Sequence, residues 1–147
     1  MNLKNYTSTV QAITSMGRIE RALVQAGATD ISKKYNEDKV CTAITFRMLV
    51  NRNPVFFQLP AKVNACFDVF WKEVKRPRPD TKRTTMEQAE RTAWKIVCDW
   101  VEVQLSMILL EQAEALEIFL PYVYNPATET TFYNQLKNSE FKALLTN

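Results

Sequence analysis

The chain predicts an α+β fold: a small antiparallel three-stranded sheet packed against helices, with one long central helix in the C-terminal half. Three observations carry this expectation. Residues 29–59 are rich in β-branched and aromatic side chains and are punctuated by two turn signals, Asn36-Glu37-Asp38 and Asn51-Arg52-Asn53-Pro54. The flanking stretches repeat their apolar residues at steps of three and four, the helical period. The order α-β-β-β-α-α-α segregates strands from helices, which favours a sheet covered on one face by helices over alternating βα units. At 147 residues, without internal repeats or low-complexity segments, the chain is expected to form a single domain over 1–147.

The first helix is expected over 15–26, with Ser15 as N-cap and Met16, Ile19, Leu23 and Ala26 as its buried stripe. Gly27 then supplies a C-terminal stop. Strands follow at about 29–35, 39–50 and 54–59. In the middle one, Val40, Thr42, Ile44, Phe46 and Met48 alternate with Cys41, Ala43, Thr45, Arg47 and Leu49, one face strongly apolar and the other mixed. Pro60 suits the first turn of a helix running to about Val74, buried through Val63, Phe67, Phe70 and Val74. The Arg-Pro-Arg-Pro sequence at 76–79 must end it, because each proline disfavours helix in the residue before it. Thr84 and Glu87 form a capping box opening the longest helix, about 85–117. From Trp94 to Leu110 that helix is apolar around most of its circumference, which predicts a central position or a subunit interface. Residues 119–130 read as extended chain and turn, and the remainder as one or two short closing helices.

Composition removes several function classes. The chain has no histidine, so it lacks the commonest general base, the Ser-His and Cys-His nucleophile systems, and the most frequent transition-metal ligand. With two glycines it has no glycine-rich phosphate loop. No catalytic constellation emerges, and no cofactor or metal is expected. Glu111, Glu114 and Glu117 share one helical face, a spacing met more often in solvated surfaces than in cation sites. Three cysteines without C-x-x-C spacing, Cys41, Cys66 and Cys98, sit among apolar neighbours and read as reduced core residues. No signal peptide is expected, because no apolar run follows Lys4, and no apolar run reaches membrane-spanning length, so a cytoplasmic location is expected.

The net charge of +3 is mild, but its distribution is uneven. Residues 1–71 carry nine basic and five acidic groups, 72–83 six and two, and 84–147 four and nine. The segment Lys72–Arg83, KEVKRPRPDTKR, concentrates positive charge around two prolines. Guanidinium groups bracket phosphates bidentately, and indole rings stack on bases. The candidate ligand-binding set is therefore Arg76, Arg78 and Arg83 from this loop, Arg91 and Lys95 from the next helix, Trp71 and Trp94 as stacking rings, and Tyr122 and Tyr124 as further aromatic contacts. Each has a structural alternative. The loop suits a solvated connection, Lys95 and Asp99 are spaced for an i,i+4 ion pair, and the aromatics suit a core.

The segments LPAKVNACFDVFWKEVKRPRP, QAERTAWKIVCDWVEVQLSMI and FLPYVY resemble a family of small, uncharacterised proteins of bacteriophage and prophage genomes, over roughly 19–133. The family carries no assigned activity, so the resemblance supplies no catalytic residue. It implies a compact accessory protein of a virus or mobile element acting in the host cytoplasm. Such proteins handle nucleic acid or disarm host defence, sometimes by capturing a nucleotide signal.

The expectation that follows is a non-enzymatic protein, oligomeric through the Trp94–Leu110 face, that sequesters a small phosphate-bearing, nucleotide-like ligand. The low net charge and the concentration of basic residues in one loop favour a small ligand over a strand. The alternatives are a single-stranded nucleic-acid-binding accessory of replication or recombination, whose affinity would fall steeply with salt, and an inhibitor docking on a host enzyme through the basic loop.

Overall fold

The computed structural model describes residues 2–145. Its first helix, α1, spans Ala12–Gln25, three residues earlier than expected, so Ser15 lies inside the helix, fully buried, rather than capping it. Gly27 stops the helix as foreseen. With φ +106° it takes the left-handed conformation, and Gly27 N–H bonds to Val24 O (3.0 Å) while Ala28 N–H reaches Leu23 O (2.9 Å). That pair of bonds is a Schellman closure.

Strands β1 (Thr29–Tyr35), β2 (Cys41–Val50) and β3 (Asn53–Pro60) form the expected antiparallel meander. The sheet is larger than three strands. β4 (Val123–Asn125) pairs with β3, and β5 (Thr130–Thr131) with β4, giving five strands in the order β1-β2-β3-β4-β5. The added strands are three and two residues long, too short for alternation to reveal them.

Pro60 ends β3 opposite Ala43 rather than opening a helix, and the ladder continues through Ala61 N–H to Thr42 O (2.8 Å). A proline is tolerated there because β4 meets β3 only at Phe56 and Phe57, leaving Pro60 on an open edge. Helix α2 then spans Val63–Trp71. The long helix α3 spans Thr81–Leu109 and starts before the expected capping box. Its Thr81 hydroxyl accepts from Arg78 N–H (2.7 Å), so Thr81 fastens the entering chain and Thr84 lies within the first turn. The helix also ends early. Glu111 takes a left-handed conformation (φ 58°), with Glu111 N–H bonded to Ile108 O (3.0 Å) and Gln112 N–H to Met107 O (2.9 Å). This is again a Schellman closure, with glutamate where glycine is usual. A capping box forms instead between Glu114 and Glu117, opening α4 (Ala115–Phe119). A 3-10 turn (Leu120–Tyr122), α5 (Phe132–Asn138) and a second 3-10 turn (Lys142–Leu144) complete the described chain.

Helices α1 to α4 cover one face of the sheet. Phe46 and Phe57, opposite each other on β2 and β3, stack at 5.1 Å, and Phe119 meets both rings edge-on. Ile19, Leu23, Trp94 and Val101 complete this core, each nearly inaccessible. Trp94 spans from α3 to the sheet, its indole N–H donating to Cys41 O at 3.1 Å. Because side chains alternate along a strand, Thr45, Arg47, Phe56, Gln58 and Tyr124 project from the opposite face. Among the described residues no helix is long and apolar enough to cross a membrane.

Candidate ligand-binding cleft

The structure separates the nine residues selected from sequence. Arg76 and Arg78 are exposed on the connection between α2 and α3. Arg83 is exposed and pairs with Glu87 at 3.0 Å, one turn along α3. Arg91 turns toward the N-terminal segment, its Nε donating to Ser8 O (3.3 Å) and to the Gln88 side-chain oxygen Oε1 on the same helix (3.2 Å). Lys95 forms an ion pair with Asp99, which also accepts from Asn5 Nδ2 at 2.9 Å. Trp71 stacks on Phe67 within α2 (5.5 Å, 17°). Trp94 is 1% exposed and has no ring face free for a base. Tyr124 stands opposite Phe56 on the uncovered side of the sheet. Only Tyr122 lines a substantial cavity.

Two expectations are thereby corrected. Trp94 is core, because an indole at that depth satisfies its N–H on the sheet backbone. Arg91 ties helix α3 to the N-terminal segment and Lys95 pairs with Asp99, so both are occupied with protein partners. The Trp94–Leu110 stretch is central at Trp94, Cys98 and Val101, which are buried, while Val103, Leu109 and Leu110 remain exposed.

The cavity at Tyr122 is a cleft of about 480 Å³ between the end of β3 and α5. Gln58, Pro60 and Lys62 form one wall, and Thr131, Tyr133, Asn134 and Lys137 the other, with Pro121 and Tyr122 between them. Sequence-local rules build each wall. The short β3–α2 link holds Lys62 immediately before the helix. Thr131 caps α5 by accepting from Asn134 N–H at 3.2 Å, which fixes where Tyr133, Asn134 and Lys137 lie. Tyr122 is held edge-on against Trp100 (5.9 Å), and Trp100 in turn against Phe119 (5.8 Å). A smaller hollow of about 210 Å³, lined by Leu59, Ile96, Val97 and Trp100, adjoins it across Pro60 and Tyr122. Another of about 270 Å³ shares Gln58 and Lys62 with the cleft and adds Lys34 and Asn64.

The chemistry of this lining is one-sided. It contains two lysines, two tyrosines, two amides and a threonine hydroxyl, but no carboxylate among its nine residues. Ammonium groups and neutral donors facing a site without negative charge suit an anion, and the neighbouring apolar hollow suits a flat ring. Lys62, Lys137, Gln58, Tyr133 and Asn134 were missed from sequence because β3, the β3–α2 link and α5 that carry them are far apart along the chain. Only the β3–β4 pairing and the return of α5 bring them together.

The buried thiols and the Arg18–Glu102 pair serve the fold. Burial, then the Glu102 carboxylate, push the Cys98 thiol up to about 12, and burial raises Cys66 to about 11. Both stay protonated thiols, inert in the core. Hydrogen bonds from the Cys98 thiol (3.0 Å) and from Arg18 hold Glu102 below its ordinary value. Among the described residues no group of histidine, cysteine or carboxylate side chains is placed to hold a metal ion, and Glu114 and Glu117 serve as the α4 cap. Comparison with protein-family models, with known proteins and with solved structures gives no significant match.

Proposed function

We propose that the protein binds, without turning over, a small phosphate-bearing ligand of nucleotide type in the cleft between β3 and α5. The observation that carries this is the convergence of Lys62 and Lys137 on a cavity with Tyr122 and Tyr133 and no carboxylate in its lining. The lysines would take the phosphate, the Gln58 and Asn134 amides would read polar edges, and the base would lie against Tyr122 toward the apolar hollow at Trp100. Binding without reaction is supported by the same lining, which offers neither carboxylate nor thiol as general base or nucleophile. Arg76 and Arg78, exposed and outside this lining, would act at a distance, raising the local concentration of an anion.

In the setting implied by the resemblance to bacteriophage accessory proteins, the ligand would be a host signalling nucleotide and the protein its sink. Titration with linear and cyclic nucleotides tests this. A saturable change in tryptophan emission is expected, arising from Trp100 beside Tyr122, with the nucleotide recovered intact. A charged hydrogen bond contributes roughly 1.5–3 kcal/mol, so Lys62→Ala or Lys137→Ala should weaken binding about tenfold or more. Hydrolysed nucleotide after incubation would contradict the non-enzymatic part.

A further inference from the structure

The uncovered face of the sheet continues the cleft. Strand pairing sets Arg47, Phe56 and Tyr124 side by side across β2, β3 and β4, so all three project from the face opposite the helices. Neighbouring strands lie about 4.8 Å apart, which makes Phe56 and Tyr124 adjacent aromatic rings on one platform. Neither belongs to the apolar core, which takes Phe57 and Val123 from the same strands. Both remain partly accessible. Next to them runs a polar row in which Thr45 stands opposite Gln58, and Gln58 reaches the edge of the cleft.

The charge of this face fits one kind of occupant. Lys34 and Lys62 line the hollow at one side of the platform, again with no carboxylate in its lining. Arg47 lies at the other side. It is partly engaged by Asp30 (3.0 Å), an exposed side chain that a competing anion can displace. Aromatic rings flanked by cations on a partly accessible sheet face match a chain of phosphates whose bases are free to stack. A duplex keeps its bases stacked inside and cannot use the rings.

We infer that this sheet face binds single-stranded nucleic acid, with bases stacked on Phe56 and Tyr124, phosphates along Lys34, Arg47 and Lys62, and one nucleotide seated in the cleft. The inference rests on the nucleotide-type reading of the cleft and extends it from a single nucleotide to a strand. Basic residues scattered over β1, β2 and the β3–α2 link thus form the track that sequence inspection, attentive to the 72–83 cluster, did not find.

The test is fluorescence anisotropy with labelled 12-nucleotide single strands, one RNA and one DNA, the matching duplexes, and a mononucleotide as competitor. Single strands of either sugar should bind at least tenfold more tightly than duplex or mononucleotide, with affinity falling as salt rises. Phe56→Leu with Tyr124→Leu should weaken strand binding at least tenfold while leaving mononucleotide affinity in the cleft unchanged. Lys34→Glu, at an exposed position that cannot disturb the core, should weaken it comparably. Equal binding of duplex, or strand binding that survives both variants, would overturn the inference. Mononucleotide binding with no gain for a strand would overturn it while leaving the cleft standing, and absence of all binding would overturn both.

Discussion

At the scale of single residues, most charged groups near the long helix work for the fold. Asp99 is a clear case. Partial burial would raise its carboxyl, but hydrogen bonds from Lys95 and Asn5 outweigh that and hold it below its ordinary value of 3.8. Glu102 is likewise held below 4.5, first by the Cys98 thiol and then by Arg18. A carboxyl depressed in the folded state stabilises the fold above its unfolded value, and that contribution is lost as pH falls through the folded value. Stability should therefore be level above about pH 5 and decline as acid enters the range below 4.5 and then 3.8. Urea midpoints measured from pH 7 to pH 3 check this. Asp99→Asn should flatten the acid limb more than Glu102→Gln, because the Lys95–Asp99 pair is 16% and 27% exposed against 36% and 39% for Arg18–Glu102, and exposed pairs are screened.

At the scale of elements, sequence was a good guide wherever one periodicity ran long enough. The strand at 29–35, the strand expected at 39–50 and found at Cys41–Val50, the glycine stop at Gly27 and the existence of the long helix all follow from local pattern. The boundaries that failed did so because a partner elsewhere decided them. Pro60 belongs to β3 because β2 supplies its pairing, and Thr81 rather than Thr84 receives the entering chain because Arg78 N–H lies within reach. The end of α3 is the sharpest instance, since no glycine announces it. A left-handed glutamate is disfavoured by roughly 1 kcal/mol, so Glu111→Gly should raise stability by about that amount, read as a higher thermal midpoint. A lower midpoint would mean that the Glu111 side chain contributes more than its backbone strain removes. The basic connection between α2 and α3 gives the complementary prediction. Arg76→Ala with Arg78→Ala removes two exposed side chains and should leave the thermal midpoint nearly unchanged. A drop of several degrees would make these arginines structural.

At the scale of the whole molecule, the sheet divides the chemistry. Helices α1 to α4, Trp94, Trp100 and the thiols gather on one side as core, while Lys34, Lys62, Lys137, Phe56, Tyr124 and Tyr133 are left around the other side and its edge. Of the residues selected from sequence, Tyr122 and Tyr124 lie at the proposed binding surface, one in the cleft and one on the platform. The basic cluster drew attention because it is contiguous in sequence, whereas the cleft depends on β4 and β5, five residues in all, folding back beside β3. Local composition cannot display a surface assembled by such distant pairing.

The most direct measurement is calorimetric titration of the intact protein and of Lys62→Ala/Lys137→Ala with a panel of linear and cyclic nucleotides. Saturable binding to at least one nucleotide, weakened tenfold or more in the variant at unchanged thermal midpoint, is the expected result. Equal affinity in the variant, or no binding by the intact protein, would contradict the assignment of the cleft.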